Sequence, residues 1–127
     1  MMDINQKLQA AIKFQKEGNL QEAESIYIDI LKSDSNHVAS LINLGLIEQG
    51  KGKLDEATQF YKYAFSIDSN NISLLYLLAK IMQELNQLDE SITYWQKLVQ
   101  LKPDGALEFY GNIGNSLVQQ GKFDEAL

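Results

Sequence analysis

One short phrase recurs along this chain and limits what it can fold into. Leu20-Gln21-Glu22-Ala23 returns as Leu54-Asp55-Glu56-Ala57, as Leu88-Asp89-Glu90-Ser91 and as Phe123-Asp124-Glu125-Ala126. Ala23, Ala57 and Ser91 stand 34 residues apart, and one more residue separates Ser91 from Ala126. Tyr27, Tyr61 and Trp95 keep the same interval of 34. Self-similarity at a fixed interval of this length signals an array of like supersecondary units, each too small to bury its apolar face alone.

Within each unit the apolar spacing is helical. Ile4, Leu8, Ala11, Ile12 and Phe14 mark a first helix, and Ala23, Ile26, Tyr27, Ile30 and Leu31 a second. Gly18 closes the first helix, because glycine accepts the left-handed backbone of a helix end. Asn19 is then expected to cap the next. Gly52 and Gly121 repeat that punctuation, and Asn86 replaces it in the third unit, asparagine being the next-best residue for that backbone. Ala11, Gly45, Ala79 and Gly114 share one position, and all are small, as a close approach of two helices requires. The periodicity predicts helices over roughly 4–17, 20–33, 38–51, 54–67, 72–85, 88–101 and 107–120, with a stub from Phe123. The added residue falls between Lys102 and Ala106, in a slightly longer turn, and Pro103 ends the helix before it. An all-α chain follows, read as one domain over 1–127 with repeats at about 4–37, 38–71, 72–105 and a partial 107–127. Stopping in mid-repeat, the sequence is expected to be a fragment of a longer protein.

Composition narrows the chemistry. The net charge is −6, against the basic stripe of a general nucleic-acid binder. There is no cysteine, so disulfides, thiol nucleophiles and cysteine-ligated metals are excluded. The most apolar stretch, Leu74 to Met82, is too short for a bilayer, and no Lys/Arg run suits an anionic membrane surface. The N-terminus lacks a charged-then-apolar leader pattern, and a cytoplasmic location is expected. His37, the single histidine, falls in a loop and is expected to cap. The Asp55-Glu56, Asp89-Glu90 and Asp124-Glu125 pairs fall in first helical turns, where carboxylates favour the positive end of the helix dipole. Neighbours on a helix do not face each other, so these pairs are not acid–base dyads. No catalytic, cofactor or metal site is expected in this segment.

The phrase, its interval and the small and aromatic positions resemble the tetratricopeptide repeat (TPR) family over the whole chain. The second repeat fits best, with Leu44, Gly45, Gly52, Leu54, Ala57, Tyr61 and Ala64 at pattern positions; the first departs at Lys7 and Ala11, the third at Asn86 and Ser91. The resemblance implies helical hairpins stacked as a right-handed superhelix, three full repeats and a truncated fourth. The first helix of each pair then lines a concave groove, which implies a protein or peptide partner. Carried over, the groove takes Leu8, Gln9 and Ile12, then Ile42, Asn43 and Leu46, then Tyr76, Leu77 and Lys80, then Asn112 and Asn115. A carboxylate clamp is not implied, because only Asn43 matches its basic and amide pattern. A fainter resemblance is to the asparagine-lined TPR superhelix of O-linked N-acetylglucosamine transferases and bacterial relatives. There amides pair with a peptide backbone, an amide being both donor and acceptor; Asn43 and Asn112 match and Leu77 interrupts.

Three functions are consistent with this reading. The first is a non-catalytic scaffold that takes a peptide or a partner helix in an apolar groove. The second is an N-terminal substrate-recruiting arm of a larger enzyme such as a glycosyltransferase. The third is a self-association module, forming a homodimer where Tyr110, Ile113 and Leu117 lack a full partner helix.

Overall fold

The computed structural model describes residues 2–119 and 121, and among them every regular element is helical. The helices are α1 (Ile4–Lys16), α2 (Leu20–Ser33), α3 (Val38–Gly50), α4 (Leu54–Ile67), α5 (Ile72–Glu84), α6 (Leu88–Leu101) and α7 (Ala106–Gln119). The stub expected at Phe123–Leu127 lies outside the described residues. The chain divides into two compact units, Met1–Ile67 and Asp68–Leu127, each taken here by itself.

The turn inside each hairpin is the same device used three times. Gly18, Gly52 and Asn86 take positive φ, +82°, +79° and +62°. The next amide then donates back to a carbonyl five residues earlier: Asn19 to Phe14 at 2.8 Å, Lys53 to Glu48 at 2.9 Å and Gln87 to Met82 at 2.8 Å. This bond satisfies a carbonyl that the helix end leaves open. It also ends α1, α3 and α5 one residue before the expected bounds, because Glu17, Lys51 and Leu85 serve as cap residues. The extra residue before α7 is absorbed by a 3-10 turn, Pro103–Gly105, which leads straight into the helix at Ala106.

The helix starts correct one expectation. Asn19 occupies the cap position of α2 but makes no side-chain cap bond. The caps that do bond are Asp3, which accepts from the Gln6 amide at 2.8 Å, His37, whose Nδ1 accepts from Ser40 at 3.2 Å, and Asn71, which accepts from Leu74 at 3.0 Å.

In the first unit the core gathers Ala11, Ala23, Tyr27, Ile30, Leu44 and Ile47, with Leu8, Phe14, Leu31 and Phe60 packed against it. The rings of Tyr27 and Tyr61 are fully buried. Each sends its hydroxyl to a glutamine on the first helix of its own hairpin: Tyr27 donates to Gln15 Oε1 at 2.6 Å and Tyr61 to Gln49 Oε1 at 2.7 Å. Burying such a ring removes on the order of 150–250 Å² from water, about 4–6 kcal/mol at 25 cal/mol per Å². The hydrogen bond prevents the hydroxyl from cancelling part of that gain. Gly45 is the small residue that makes the geometry fit, for the Tyr61 ring lies where its Cβ would stand.

The second unit repeats this plan with one substitution. Trp95 replaces the tyrosine and is fully buried, edge-on to Tyr76 at 5.3 Å and tilted on Phe109 at 5.7 Å. Its indole Nε1 and the Oε1 of Gln83, the counterpart of Gln15 and Gln49, are both buried without a hydrogen-bond partner. Ser91, which departs from the alanine of the other repeats, is accommodated: its buried hydroxyl donates to the Ala79 carbonyl at 2.7 Å.

Candidate functional site

Every residue assigned to the groove from sequence is at least partly accessible. On α1, Leu8 and Ile12 are half-buried and Gln9 is exposed. Leu8 also packs on the core of its unit, so part of its surface is already committed. On α3, Leu41, Leu44, Gly45, Ile47 and Glu48 are buried, whereas Ile42 and Asn43 are half-buried and Leu46 is 36% exposed. On α5, Leu74, Leu75, Leu78, Ala79, Ile81 and Met82 are buried, whereas Tyr76 is 36% exposed, Leu77 half-buried and Lys80 exposed. On α7, Asn112 is half-buried and Asn115 exposed. The helices with the widest apolar coverage thus still turn leucine, isoleucine and tyrosine toward water. α1 and α3 belong to the first unit, α5 and α7 to the second.

The two matching asparagines use their amides in the same way. Asn43 Nδ2 donates to the Ala39 carbonyl at 2.8 Å, and Asn112 Nδ2 donates to the Glu108 carbonyl at 3.1 Å. Both bonds run back one turn along the residue's own helix. They hold each side chain in one orientation and leave the amide oxygen to accept from another donor.

Ion pairs frame the first unit. Lys7 meets Asp29 at 2.7 Å, linking α1 to α2, and its hydrogen bond, followed by its charge, holds the Asp29 carboxyl below the usual carboxylate range. Lys51 meets Glu24 of α2 at 2.8 Å and Glu48 at 3.5 Å. The Glu24 hydrogen bond is the main cause that raises the Lys51 ammonium above its ordinary value. The Asp55-Glu56 and Asp89-Glu90 pairs lie in the first turns of α4 and α6 and are exposed; Asp124-Glu125 lies outside the described residues.

Two openings were missed from sequence. One, of about 470 Å³, lies in the first unit among Leu31, Leu41, Phe60 and Tyr63, with Ser35, Glu56 and Gln59 at its margin. The other, of about 730 Å³, lies along α1 and α2, where Ala10, Phe14 and Ile28 meet Lys7, Glu24 and Asp29. Their sequence signal is an apolar residue off the core stripe: Ile28 and Tyr63 are 43% and 46% exposed. The self-association residues also need correction. Tyr110 is 59% exposed as expected, but Ile113 and Leu117 are half-buried, and the bare neighbours are instead Leu107 and Val118. The reason is rotation of α7, which turns Phe109 and Ser116 inward. Among the described residues no helix is long and apolar enough to cross a membrane.

Residues 46–107 match the family model described as tetratricopeptide repeat. No functionally curated protein matches the sequence. Solved structures of the same fold include MamA of AMB-1, at TM-score 0.85 and 22% identity, covering 99% of this chain and 68% of that one. YrrB, described as a TPR protein with an unusual peptide-binding site, aligns at TM-score 0.84 and 24% identity over 98% of this chain and 63% of that one. The Yersinia enterocolitica type III secretion chaperone SycD, solved with a peptide of the translocator YopD, aligns at TM-score 0.80 and 16% identity over 92% of this chain and 94% of that one.

Proposed function

This chain belongs to the tetratricopeptide-repeat family, and from that premise we propose that it is a non-catalytic, cytoplasmic protein-interaction scaffold. Its ligand is an extended peptide or the apolar face of a partner helix, held against the first helices of the hairpins. One observation carries the reading: Ile42, Leu46, Tyr76 and Leu77 stay accessible on helices whose other apolar positions are buried. Apolar side chains kept at a groove-facing register suit a ligand that brings its own apolar side chains. The oriented amides of Asn43 and Asn112 add acceptors for peptide N–H groups, whatever the ligand's side chains.

The test is selection of binders from a displayed library of random peptides, followed by calorimetric titration of the enriched sequences. Leu46→Asp and Tyr76→Asp each place a charge under the ligand and should weaken binding about tenfold or more, with the melting temperature nearly unchanged. The Asn43→Ala/Asn112→Ala double variant should weaken it by a smaller factor. Peptides that bind all three variants as tightly as the wild type would sink the proposal.

A further inference from the structure

The three most exposed large apolar side chains among the described residues all lie on α7: Leu107 at 91%, Tyr110 at 59% and Val118 at 54%. At about 100° per residue they share one side of the helix with Gly111 and Gly114. At neither glycine would an added Cβ meet anything within 4 Å. The opposite side carries Phe109 and Ser116, buried, with Phe109 on Trp95 of α6. The stripe therefore points away from its own unit, and Asn112 of the candidate groove lies on the other side of the helix.

We propose that this stripe is covered by the same stripe of a second copy, packed antiparallel. The pattern is self-complementary. A copy turned about an axis near residue 112 sets Leu107 opposite Val118, and Tyr110 over Gly114; by symmetry Gly114 receives the other Tyr110. An isologous contact requires that reciprocity. The chain already shows the knob and the hole fitting, because the Tyr61 ring occupies the space over Gly45, and Gly114 is the repeat counterpart of Gly45 with its space open. Charge permits the contact. Glu108 is the one charged residue of α7, and in the antiparallel pair the two Glu108 side chains stand at opposite ends. They are separated by about 12 Å along the axis, more than the screening length of about 8 Å at physiological salt.

Sedimentation of the 127-residue chain over a concentration series, from low micromolar upward, reads the assembly directly. A monomer–dimer equilibrium is expected, weakened about tenfold or more by Tyr110→Glu and by Gly114→Leu. Both changes are made at open positions, so far-UV circular dichroism should match the wild type. Because the chain has no cysteine, mixing Tyr110→Cys protein with Gly114→Cys protein under mild oxidation should give a mixed disulfide in preference to either homodimer. A monomer at every concentration would overturn the proposal, as when residues beyond Gln119 cover the stripe. A ladder of higher oligomers, the mark of head-to-tail stacking, would overturn it too, and so would a dimer indifferent to both substitutions.

Discussion

Adding one methyl group at Gly45 should cost stability, although in an exposed helix the same change helps. The Cβ of Gly45→Ala would stand 2.7 Å from Tyr61 Cδ1 and 3.0 Å from Cζ, and closer still to Cε1. Tyr61 is fully buried and tied to Gln49 at 2.7 Å, so its ring cannot swing aside into water. Overpacking of this kind costs about 1–3 kcal/mol, and pulling the hydroxyl off Gln49 costs about 0.5–1.5 kcal/mol. Against this, removing a mid-helix glycine gains about 1 kcal/mol. The expected net loss is about 2 kcal/mol. Gly114→Ala is the internal control, at the same repeat position with nothing within 4 Å, and it should gain up to about 1 kcal/mol. Urea unfolding followed by far-UV circular dichroism separates them, at protein concentrations low enough to keep the chain monomeric. With a slope of about 2 kcal/mol per molar, Gly45→Ala lowers the midpoint by about 1 M and Gly114→Ala raises it. Equal shifts of the same sign, or a Gly45→Ala protein as stable as the wild type, would refute the reasoning.

Four further outcomes are expected. Tyr61→Phe should lose about 1 kcal/mol in the same urea assay, because it removes the bond to Gln49 and leaves the ring packing alone. Trp95→Tyr should be about 1 kcal/mol more stable than Trp95→Phe, since a tyrosine hydroxyl supplies the partner that Gln83 Oε1 lacks; equal stability of the two would count against it. Asn71→Ala removes the bond to the Leu74 amide at 3.0 Å and should cost about 1 kcal/mol in thermal unfolding. Burial pushes the Tyr27 phenol from 10.0 up to about 12. The folded value exceeds the unfolded one, so this contribution is intact below pH 10 and is lost as pH rises toward 12, because the unfolded chain releases the proton first. Alkaline titration of stability should show that decline, and Tyr27→Phe should flatten it.

The architecture was legible because spacing alone decides it. The interval between Ala23 and Ala57 located the hairpins, and Gly18, Gly52 and Asn86 fixed their turns to within one residue. What spacing does not carry is where a polar side chain spends its hydrogen bonds. Asn19 looked like a cap and does not bond as one, while Asn71, which does, stood in a polar break with nothing to single it out. Asn43 and Asn112 were placed on the right helices, but the bonds to their own backbones depend on rotamers. The tyrosine–glutamine bonds were within reach of the sequence: Gln15, Gln49 and Gln83 recur 34 residues apart, in step with the aromatics they serve. On α7 the helix was found and its rotation was not, because Tyr110, Ile113 and Leu117 are as apolar as the residues that in fact face outward.

Trp95 is the sole tryptophan, and its place has a spectroscopic consequence. Its emission reports only on the Asp68–Leu127 unit, whereas the far-UV signal sums all seven described helices. A denaturation curve followed by both therefore counts the cooperative pieces of the chain: coincident curves mean one, displaced curves mean the units melt apart. Tyr76 lies edge-on to the indole at 5.3 Å with one face toward solvent. A ligand that seats on Tyr76 thus perturbs a buried fluorophore one residue away, and binding becomes readable without a label.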